Sequence, residues 1–465
     1  MALKFGTSGL RGLVTEMTAP VIARYVRAFL AHAGTEAPLF IARDLRASSP
    51  EIERVICDTA LTHGVAVVTL GVLPTPALAL QVQTAHGLGI MVTGSHIPAD
   101  RNGLKFYLPT GEITKADERA ISEGYAQHAT PPDAPGTLRD AAQPARNAYI
   151  ARYVNAFGPT ALSGLRIGVY EHSSAARDLL GTVLSKLGAS VYPLGRTEEF
   201  TPVDTEAVDT ESRRQFQSWC KEHQLDALVS TDGDGDRPML TDASGKVVPG
   251  DLLGVLTARA LGAKILAVPI SSNSMIGTLP DFDAVRLTRI GSPYVIEAMQ
   301  SAQGGLVAGF EPNGGFLLGG TARGPAGEIA PLMTRDALLP IIAPLWATRG
   351  AGIRAAIAAL PPRFTASDRL QNAPQDAMRA LMERLQTEAG RSAFLAPQRC
   401  AALDETDGTR MTLPNGDIVH LRPSGNAPEL RVYTEADSAE AATALLTTYL
   451  NRAKTALNAP ESAPC

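Results

Sequence analysis

The chain has 465 residues, 45% hydrophobic and 19% charged, which is enough apolar material for a sizeable core and too much for a disordered polymer. Its 42 Lys and Arg against 47 Asp and Glu give a formal charge of −5, which offers no basic field to a nucleic acid or an anionic membrane. Four cysteines, at positions 57, 220, 400 and 465, have neither CxxC spacing nor the density of a disulfide scaffold, so a reducing cytosol fits best.

At about 150 residues per domain the length suggests some three domains. The opening MALKFGTSGLRG contains no apolar run of a secretory signal. Residues 252–268, the most apolar segment after the middle, are interrupted by Arg259 and Lys264 and fall short of the ~20 clean residues of a membrane span. A soluble cytoplasmic protein is expected.

In chain order, one pattern appears three times, over residues 38–71, 165–195 and 263–291: an apolar strand, a loop, a helix or short equivalent, a second strand, then Gly. In the first copy LFIAR precedes a helical stretch over residues 50–63, where Ile52, Val55, Ile56 and Thr59 recur at helical spacing, and VAVVTLG follows. The second has LRIGVY, a helix over 175–187 and SVYPLG; the third has KILAVP, a short irregular segment and AVRLTRIG. Strands alternating with helices in units of ~30 residues predict right-handed βαβ crossovers and mostly parallel sheets covered on both faces.

After each copy another apolar strand runs into an unusual loop: GIMVTGSHIPADRNGLKFY, ALVSTDGDGDRPML and GLVAGFEPNGGFLL. If the copies are structurally equivalent, three chemically different loops hold one position in three similar domains and could face a shared cleft. Residues 130–147, rich in Pro, Ala and polar groups, read as a boundary or surface connection, and a second break falls at 360–364. Beyond it, a helix over 377–388, short strands in RMTL, DIVHL and ELRVYTE, and an amphipathic helix over 438–457 predict an α+β tail.

STDGDGDRP sets Asp232, Asp234 and Asp236 at alternate positions, with glycines that let three carboxylates turn to one centre. Three such charges repel unless a cation neutralises them, and oxygen-only ligands select a hard ion such as Mg2+. An EF-hand is excluded, because Arg237 and Ala243 stand where its Gly and Glu belong. The strand ALVS before the loop places it at a strand's C-terminal end, where α/β proteins bind ligands.

TGSHIPADRNGLK contains Ser95, His96 and Lys105. On an extended segment Ser95 and His96 point to opposite sides, so His96 is not expected to deprotonate Ser95, and the GxSxG elbow of a hydrolase is absent. A nucleophilic Ser95 therefore needs other activation, for instance as a phosphate carrier beside a metal. FEPNGGF offers Glu311 and Asn313, which suit sugar hydroxyls but also make an ordinary turn. RPSGNAP places Arg422, Ser424 and Asn426 around Gly425, with Arg431 beyond, the donors a phosphate dianion needs, though a plain hairpin turn uses the same letters. FGTSGLRG supplies Arg11 for a second anion or a mere strand connection. Neither GxxxxGK[ST] nor GxGxxG occurs, which argues against a nucleotide ligand.

The ordered set FGTSGLRG, TGSHIP with NGLK, DGDGDR, FEPNGG and RPSGNAPELR resembles the α-D-phosphohexomutase superfamily, most closely its bacterial phosphomannomutases, over essentially the whole chain. The resemblance implies an α/β fold: three similar α/β domains with mixed, mostly parallel sheets and a smaller C-terminal α+β domain around one central cleft. With the breaks above, the domains are expected at 1–147 (phosphoserine loop), 148–250 (metal loop), 251–362 (sugar loop) and 363–465 (phosphate loop). By the same resemblance Ser95 carries a phosphoryl group, and Asp232, Asp234 and Asp236 with an oxygen on Ser95 coordinate Mg2+. Lys105, Arg11 and Arg237 assist transfer. Glu311, Asn313 and His96 contact substrate, and Arg422, Ser424, Gly425, Asn426 and Arg431 hold its phosphate.

The implied activity is that of an isomerase interconverting mannose 1-phosphate and mannose 6-phosphate, with a hexose 1,6-bisphosphate as intermediate and activator, acting as monomer or homodimer. Charge developing on the transferred oxygens is offset by Mg2+, Lys105 and Arg237. The chain departs from the family where Ile97 replaces a common Asn, Gly315 and Ser292 replace common histidines, and Asn426 replaces a common Thr. The missing histidines shift acid–base duty to Lys105 and Arg11. A phosphoglucomutase or dual-specificity enzyme, a Mg2+-dependent sugar-phosphate phosphatase and a non-catalytic sugar-phosphate scaffold are the alternatives.

Overall fold

The computed structural model describes residues 3–6, 9–126, 134–424 and 428–458. By contact density the chain forms two units: residues 1–267 with 281–286 and 291–357, and residues 268–280, 287–290 and 358–465.

The first sheet has eight strands, ordered Lys4–Phe5, Leu10–Leu13, Arg101–Leu108, Leu88–Val92, Leu39–Arg43, Val67–Val72 and Leu138–Asp140, with Gly111–Glu112 paired beside Arg101–Leu108. Leu39–Arg43 runs parallel to both Val67–Val72 and Leu88–Val92, while Arg101–Leu108 is antiparallel to Leu88–Val92. Every residue of Leu88–Val92 is buried, as suits a strand covered on both faces. The helix Ala19–Ala33 starts with Pro at its first turn and turns Ile22, Val26, Phe29 and Leu30 inward; Thr114 and Asp117 form a capping box on Lys115–Gly124.

A four-stranded sheet follows in the order Ser190–Arg196, Arg166–His172, Ala227–Thr231, Pro238–Leu240, the first three parallel and the last antiparallel. In the third sheet Ile265–Pro269 runs parallel to Val307–Phe310, then Phe316–Leu318 and Leu332–Asp336 follow antiparallel. All three sheets share one device. A buried parallel strand ends, a loop turns the chain, and the next strand returns antiparallel: Leu88–Val92 to Arg101–Leu108, Ala227–Thr231 to Pro238–Leu240, Val307–Phe310 to Phe316–Leu318. The three unusual loops of the sequence occupy those turns, at strand C-terminal ends.

The second unit is built on a five-stranded antiparallel sheet, Phe364–Leu370, Leu430–Ala436, Ile418–Pro423, Thr409–Thr412 and Ala402–Asp404. Met378, Leu381 and Leu385 of Gln375–Gln386, Phe394 and Leu395 of Glu388–Leu395, and Tyr449, Ala453 and Leu457 of Ala439–Asn458 share its core with Val419, Leu421 and Val432.

Three sequence expectations change. Residues 138–140 are not plain surface connection but pair in parallel with Val67–Thr69, and Ala142–Phe157 is one 16-residue helix that runs through position 147. The Pro and polar letters had masked an edge strand and a helix whose buried face is carried by Ala145, Tyr149, Tyr153 and Phe157. The tail gains strands Phe364–Leu370 and Ala402–Asp404, too polar or too short to show a period-2 signal, and the helix Glu388–Leu395, a segment of eight residues whose buried face is only Gly390, Phe394 and Leu395. Ser95 is not on extended backbone, as the site shows.

Candidate active site

Ser95 follows the strand Leu88–Val92 with φ +55°, the left-handed region that a serine adopts only when its surroundings hold it there. The holding groups are identifiable. The Ser95 amide donates to Thr93 Oγ1 at 2.7 Å, and Arg46, 1% exposed, donates to the carbonyls of Ser95 (2.9 Å), Ile97 (2.6 Å), Pro98 (2.7 Å) and Arg101 (2.8 Å). Asp44 fixes that arginine and also accepts from Thr93 and Ser49. The bend brings Ser95 Oγ to 3.3 Å from His96 Nδ1, against the expectation that adjacent side chains diverge, which assumed an extended strand. Burial, then Arg237 and Arg11, push His96 well below the usual histidine range, so it is neutral.

Across the sheet boundary Ser95 Oγ donates to Asp232 Oδ2 at 2.5 Å. Asp232, Asp234 and Asp236 are each at most 1% exposed, and one oxygen from each lies within 4.8 Å of the others. Gly235, at φ +72°, makes the tight turn between them, and the amides of Asp236 and Arg237 both donate to Asp232 Oδ1 at 3.2 Å. Lys105 Nζ, on the antiparallel return strand, donates to Asp234 Oδ2 and Asp236 Oδ2 at 2.5 Å each. Thr75 Oγ1 donates to Asp234 Oδ2 at 2.5 Å, and Arg335 Nη2 reaches Asp236 Oδ2 at 2.8 Å.

Charge balance keeps this cluster buried, since an isolated ion there would neutralise itself. Burial would lower Lys105, but Asp234 and Asp236 raise it, so it keeps its proton. Burial would raise Asp236, but Arg335 and Lys105 bring it well below the usual carboxylate range. Asp232, raised by burial and then by its two acidic neighbours, carries the strain of the trio. Arg11, on Leu10–Leu13 beside the Lys105 strand, is lowered to about 10 by burial and then by Arg237. Arg237 Nε lies 4.0 Å from Asp236 Oδ1 and, among the described residues, is buried without a hydrogen-bond partner.

In the third loop Glu311 and Asn313 are 3% and 7% exposed. The Glu311 amide donates to the Gly315 carbonyl at 3.2 Å, the Gly314 amide to the Glu311 carbonyl at 2.8 Å, and the Gly315 amide to Asn313 Oδ1 at 3.0 Å. Glu311 Oε2 is 3.3 Å from Arg335 Nη1, which ties this loop to Asp236. Within the first unit, Ser95, His96, Lys105, Arg11, Arg237, the three aspartates, Glu311 and Asn313 are thus joined through named contacts or shared charge.

In the second unit Arg422 and Arg431 are paired across neighbouring antiparallel strands. Arg422 Nε approaches Asp407 Oδ2 to 2.8 Å as an ion pair without hydrogen-bond alignment, and the Ser424 amide donates to the Glu429 carbonyl at 2.8 Å. Gly425 and Asn426 lie outside the described residues. Motif reading had passed over Arg46, Thr75 and Arg335. Their only sequence signal is position, since Arg46 follows the strand Leu39–Arg43, Thr75 follows Val67–Val72, and Arg335 lies in Leu332–Asp336.

Residues 2–131 match the family model described as phosphoglucomutase/phosphomannomutase alpha/beta/alpha domain I, residues 147–245 match domain II of the same set, and residues 365–449 match its C-terminal domain. The chain belongs to the phosphoglucomutase/phosphomannomutase family, and its class is that of a phosphohexomutase, an isomerase. Among individual relatives it is 46% identical over 467 residues to a phosphomannomutase of Sinorhizobium fredii, covering 96% of this chain and 98% of that one. It is 45% identical over 463 residues to a phosphomannomutase of Salmonella muenchen, covering 98% and 96%. A phosphoglucomutase/phosphomannomutase family protein of Burkholderia thailandensis has the same fold, with TM-score 0.77, 20% identity and 98% of both chains covered. No described helix is long and apolar enough to cross a membrane.

Proposed function

We propose that the protein is a Mg2+-dependent phosphomannomutase of the cytoplasm, monomeric or homodimeric, that interconverts mannose 1-phosphate and mannose 6-phosphate with Ser95 as phosphoryl carrier. A hexose 1,6-bisphosphate is its intermediate and activator. The observation that carries this reading is the approach of Ser95 Oγ to Asp232 Oδ2 at 2.5 Å inside a buried trio of carboxylates that Lys105 and Arg237 border. The 45–46% identity to two phosphomannomutases supports mannose as the sugar.

The donor set fits a hard divalent cation. Its ligands are all oxygen, and among the described residues Asp234 Oδ1 and Asp236 Oδ1 are buried without a hydrogen-bond partner, as atoms kept for coordination would be. Asp232, Asp234, Asp236 and an oxygen on Ser95 would hold Mg2+, which when bound supplies charge stabilisation to the phosphoryl oxygens.

The chain's own groups do the rest. Hexose 1-phosphate attacks through its 6-hydroxyl: the bond from that oxygen to phosphorus forms as the bond from phosphorus to Ser95 Oγ breaks. The hydroxyl proton leaves the sugar and a proton returns to Ser95 Oγ, so charge and atoms balance. Lys105 and Arg11 are the groups assigned to this proton movement; burial and then Arg237 lower Arg11 from the usual arginine range. Neutral His96 is placed to hydrogen-bond the serine oxygen. Arg237 brings a cationic donor to the transferring oxygens. Glu311 and Asn313 bind sugar hydroxyls. The 1,6-bisphosphate then reverses, the other phosphoryl group returns to Ser95, and hexose 6-phosphate leaves. In the second unit Arg422, Ser424 and Arg431, with Gly425 and Asn426, suit a phosphate dianion.

The test is turnover of mannose 1-phosphate and glucose 1-phosphate with Mg2+ and a bisphosphate primer. A higher kcat/KM for mannose is expected. A higher value for glucose would reassign the sugar, and phosphate release keeping pace with substrate consumption would reassign the reaction to hydrolysis.

A further inference from the structure

We infer that Arg335 is a positioning residue that holds the sugar-recognition carboxylate of Glu311 in register with the metal-loop carboxylate of Asp236, so that removing it weakens hexose-phosphate binding more than metal binding. The inference deepens the phosphohexomutase reading above and rests on it.

Arg335 sits on Leu332–Asp336, the edge strand of the third sheet, and is 3% exposed. Its guanidinium divides its nitrogens between two loops. Nε and Nη2 reach Asp236 Oδ2 at 3.2 and 2.8 Å, while Nη1 reaches Glu311 Oε2 at 3.3 Å. Because the fork is planar and rigid, fixing one side fixes the angle of the other. Asp236 and Glu311 come from different sheets, so this side chain is a direct link between the metal loop and the sugar loop.

Room for the link is built into the loop. A Cβ on Gly315 would lie 2.5 Å from Arg335 Cδ, 2.7 Å from Cγ and 3.0 Å from Cβ. These are stem atoms near the backbone, not a mobile tip, so any side chain at 315 would displace the arginine from both carboxylates. Gly315 also carries the carbonyl that accepts from the Glu311 amide, so the position that clears the path also shapes the loop.

The two carboxylates depend on Arg335 unequally. Asp236 also pairs with Lys105 at 2.5 Å, whereas among the described residues the ion pairing of Glu311 is with Arg335. Without Arg335 the metal loop keeps a cation, while Glu311 loses its ion pair among the described residues and, buried, must take up a proton or turn away. Lysine cannot replace it, because an ammonium lacks the planar fork that sets the angle between the two carboxylates.

The experiment uses the full chain and its Arg335→Met, Arg335→Lys, Glu311→Gln and Arg335→Met/Glu311→Gln variants. Mannose 6-phosphate and Mn2+ binding are measured by calorimetry, and kcat and KM for mannose 1-phosphate with Mg2+. We expect Arg335→Met to weaken mannose 6-phosphate binding and raise KM by about tenfold or more, with Mn2+ affinity changed about threefold at most. Arg335→Lys should not restore the sugar. The double variant should bind sugar about as weakly as the poorer single variant, because both changes remove one linkage. Sugar binding by Arg335→Met within about twofold of the parent, or effects that multiply in the double variant, would overturn the inference. If Arg335→Met fails to fold by circular dichroism, Arg335→Lys gives the same two readouts. A parent that turns over mannose 1-phosphate while Arg335→Met matches it sinks the inference alone. A parent that binds mannose 6-phosphate through Arg335 without turnover sinks the mutase reading and keeps the linkage, and a parent that binds no hexose phosphate sinks both.

Discussion

Arg46 donates to the Ser95 carbonyl at 2.9 Å while its guanidinium carbon lies 4.0 Å from the centre of the Phe200 ring, so one buried cation grips the serine loop and leans on a residue of the next α/β layer. Replacing it with methionine would take the guanidinium's donors from Asp44 and from the carbonyls of residues 95, 97, 98 and 101, and would leave the buried Asp44 carboxylate without its cation. Arg46→Met should destabilise the chain by about 3–5 kcal/mol, read from the urea midpoint. Phe200→Leu, which removes only the ring face, should cost about 0.5–2 kcal/mol.

Removing divalent ions should abolish activity, and adding Mg2+ should restore it. Asp232→Asn, Asp234→Asn and Asp236→Asn each remove one of three carboxylates whose oxygens lie within 4.8 Å. Each should weaken Mn2+ binding by about tenfold or more in calorimetry, because ligand charge sets affinity in oxygen sites. Parental affinity in all three would place the ion elsewhere.

Much of the site was legible in sequence because its loops are written locally: Asp232, Asp234 and Asp236 lie within five residues, and Ser95, His96 and Lys105 on one strand-loop-strand unit. What was illegible is what acts across sequence. Arg46, Thr75 and Arg335 are single polar residues near strand ends, and nothing around them in the chain says that they meet Ser95, Asp234 and Asp236 from 49, 159 and 99 positions away. The bend at Ser95 was hidden for the same reason, since Arg46 and Thr93 impose it rather than a glycine. In the fold, buried runs such as Leu88–Val92 announced themselves, while Leu138–Asp140, exposed at all three residues, did not.

Tyr149 and Tyr153 donate to the two oxygens of Asp336 at 3.0 and 2.6 Å, tying the helix Ala142–Phe157 to the third sheet. Tyr153→Phe leaves one of those buried oxygens without its donor. It should lower stability by about 1–3 kcal/mol, and Tyr149→Phe by less, because its bond is longer. Equal stability of Tyr153→Phe and the parent in urea would contradict this.

His172 donates through Nε2 to the Thr231 carbonyl at 2.9 Å, next to the metal loop, and among the described residues its buried Nδ1 has no partner to receive a second proton. Burial lowers it to about 4, and His420 in the second unit is likewise lowered to about 4 by burial. Unfolded histidine titrates near 6.5, so between about 6.5 and 4 the unfolded chain binds protons that the folded chain refuses. The stability is full above that window and is lost as pH falls through it, by roughly 3 kcal/mol per histidine. His172→Gln, which keeps an amide donor, should flatten the fall of the urea midpoint between pH 7 and 5.

The most direct measurement is the interconversion of mannose 1-phosphate and mannose 6-phosphate by Ser95→Ala, assayed with Mg2+ and a bisphosphate primer beside the parent, whose intact mass is followed for one added phosphoryl group. The serine-carrier account predicts that the parent turns over and takes up phosphate at Ser95, while Ser95→Ala stays folded and loses at least about a thousandfold in kcat. Full turnover by Ser95→Ala, or an active parent that never carries phosphate on Ser95, would contradict it.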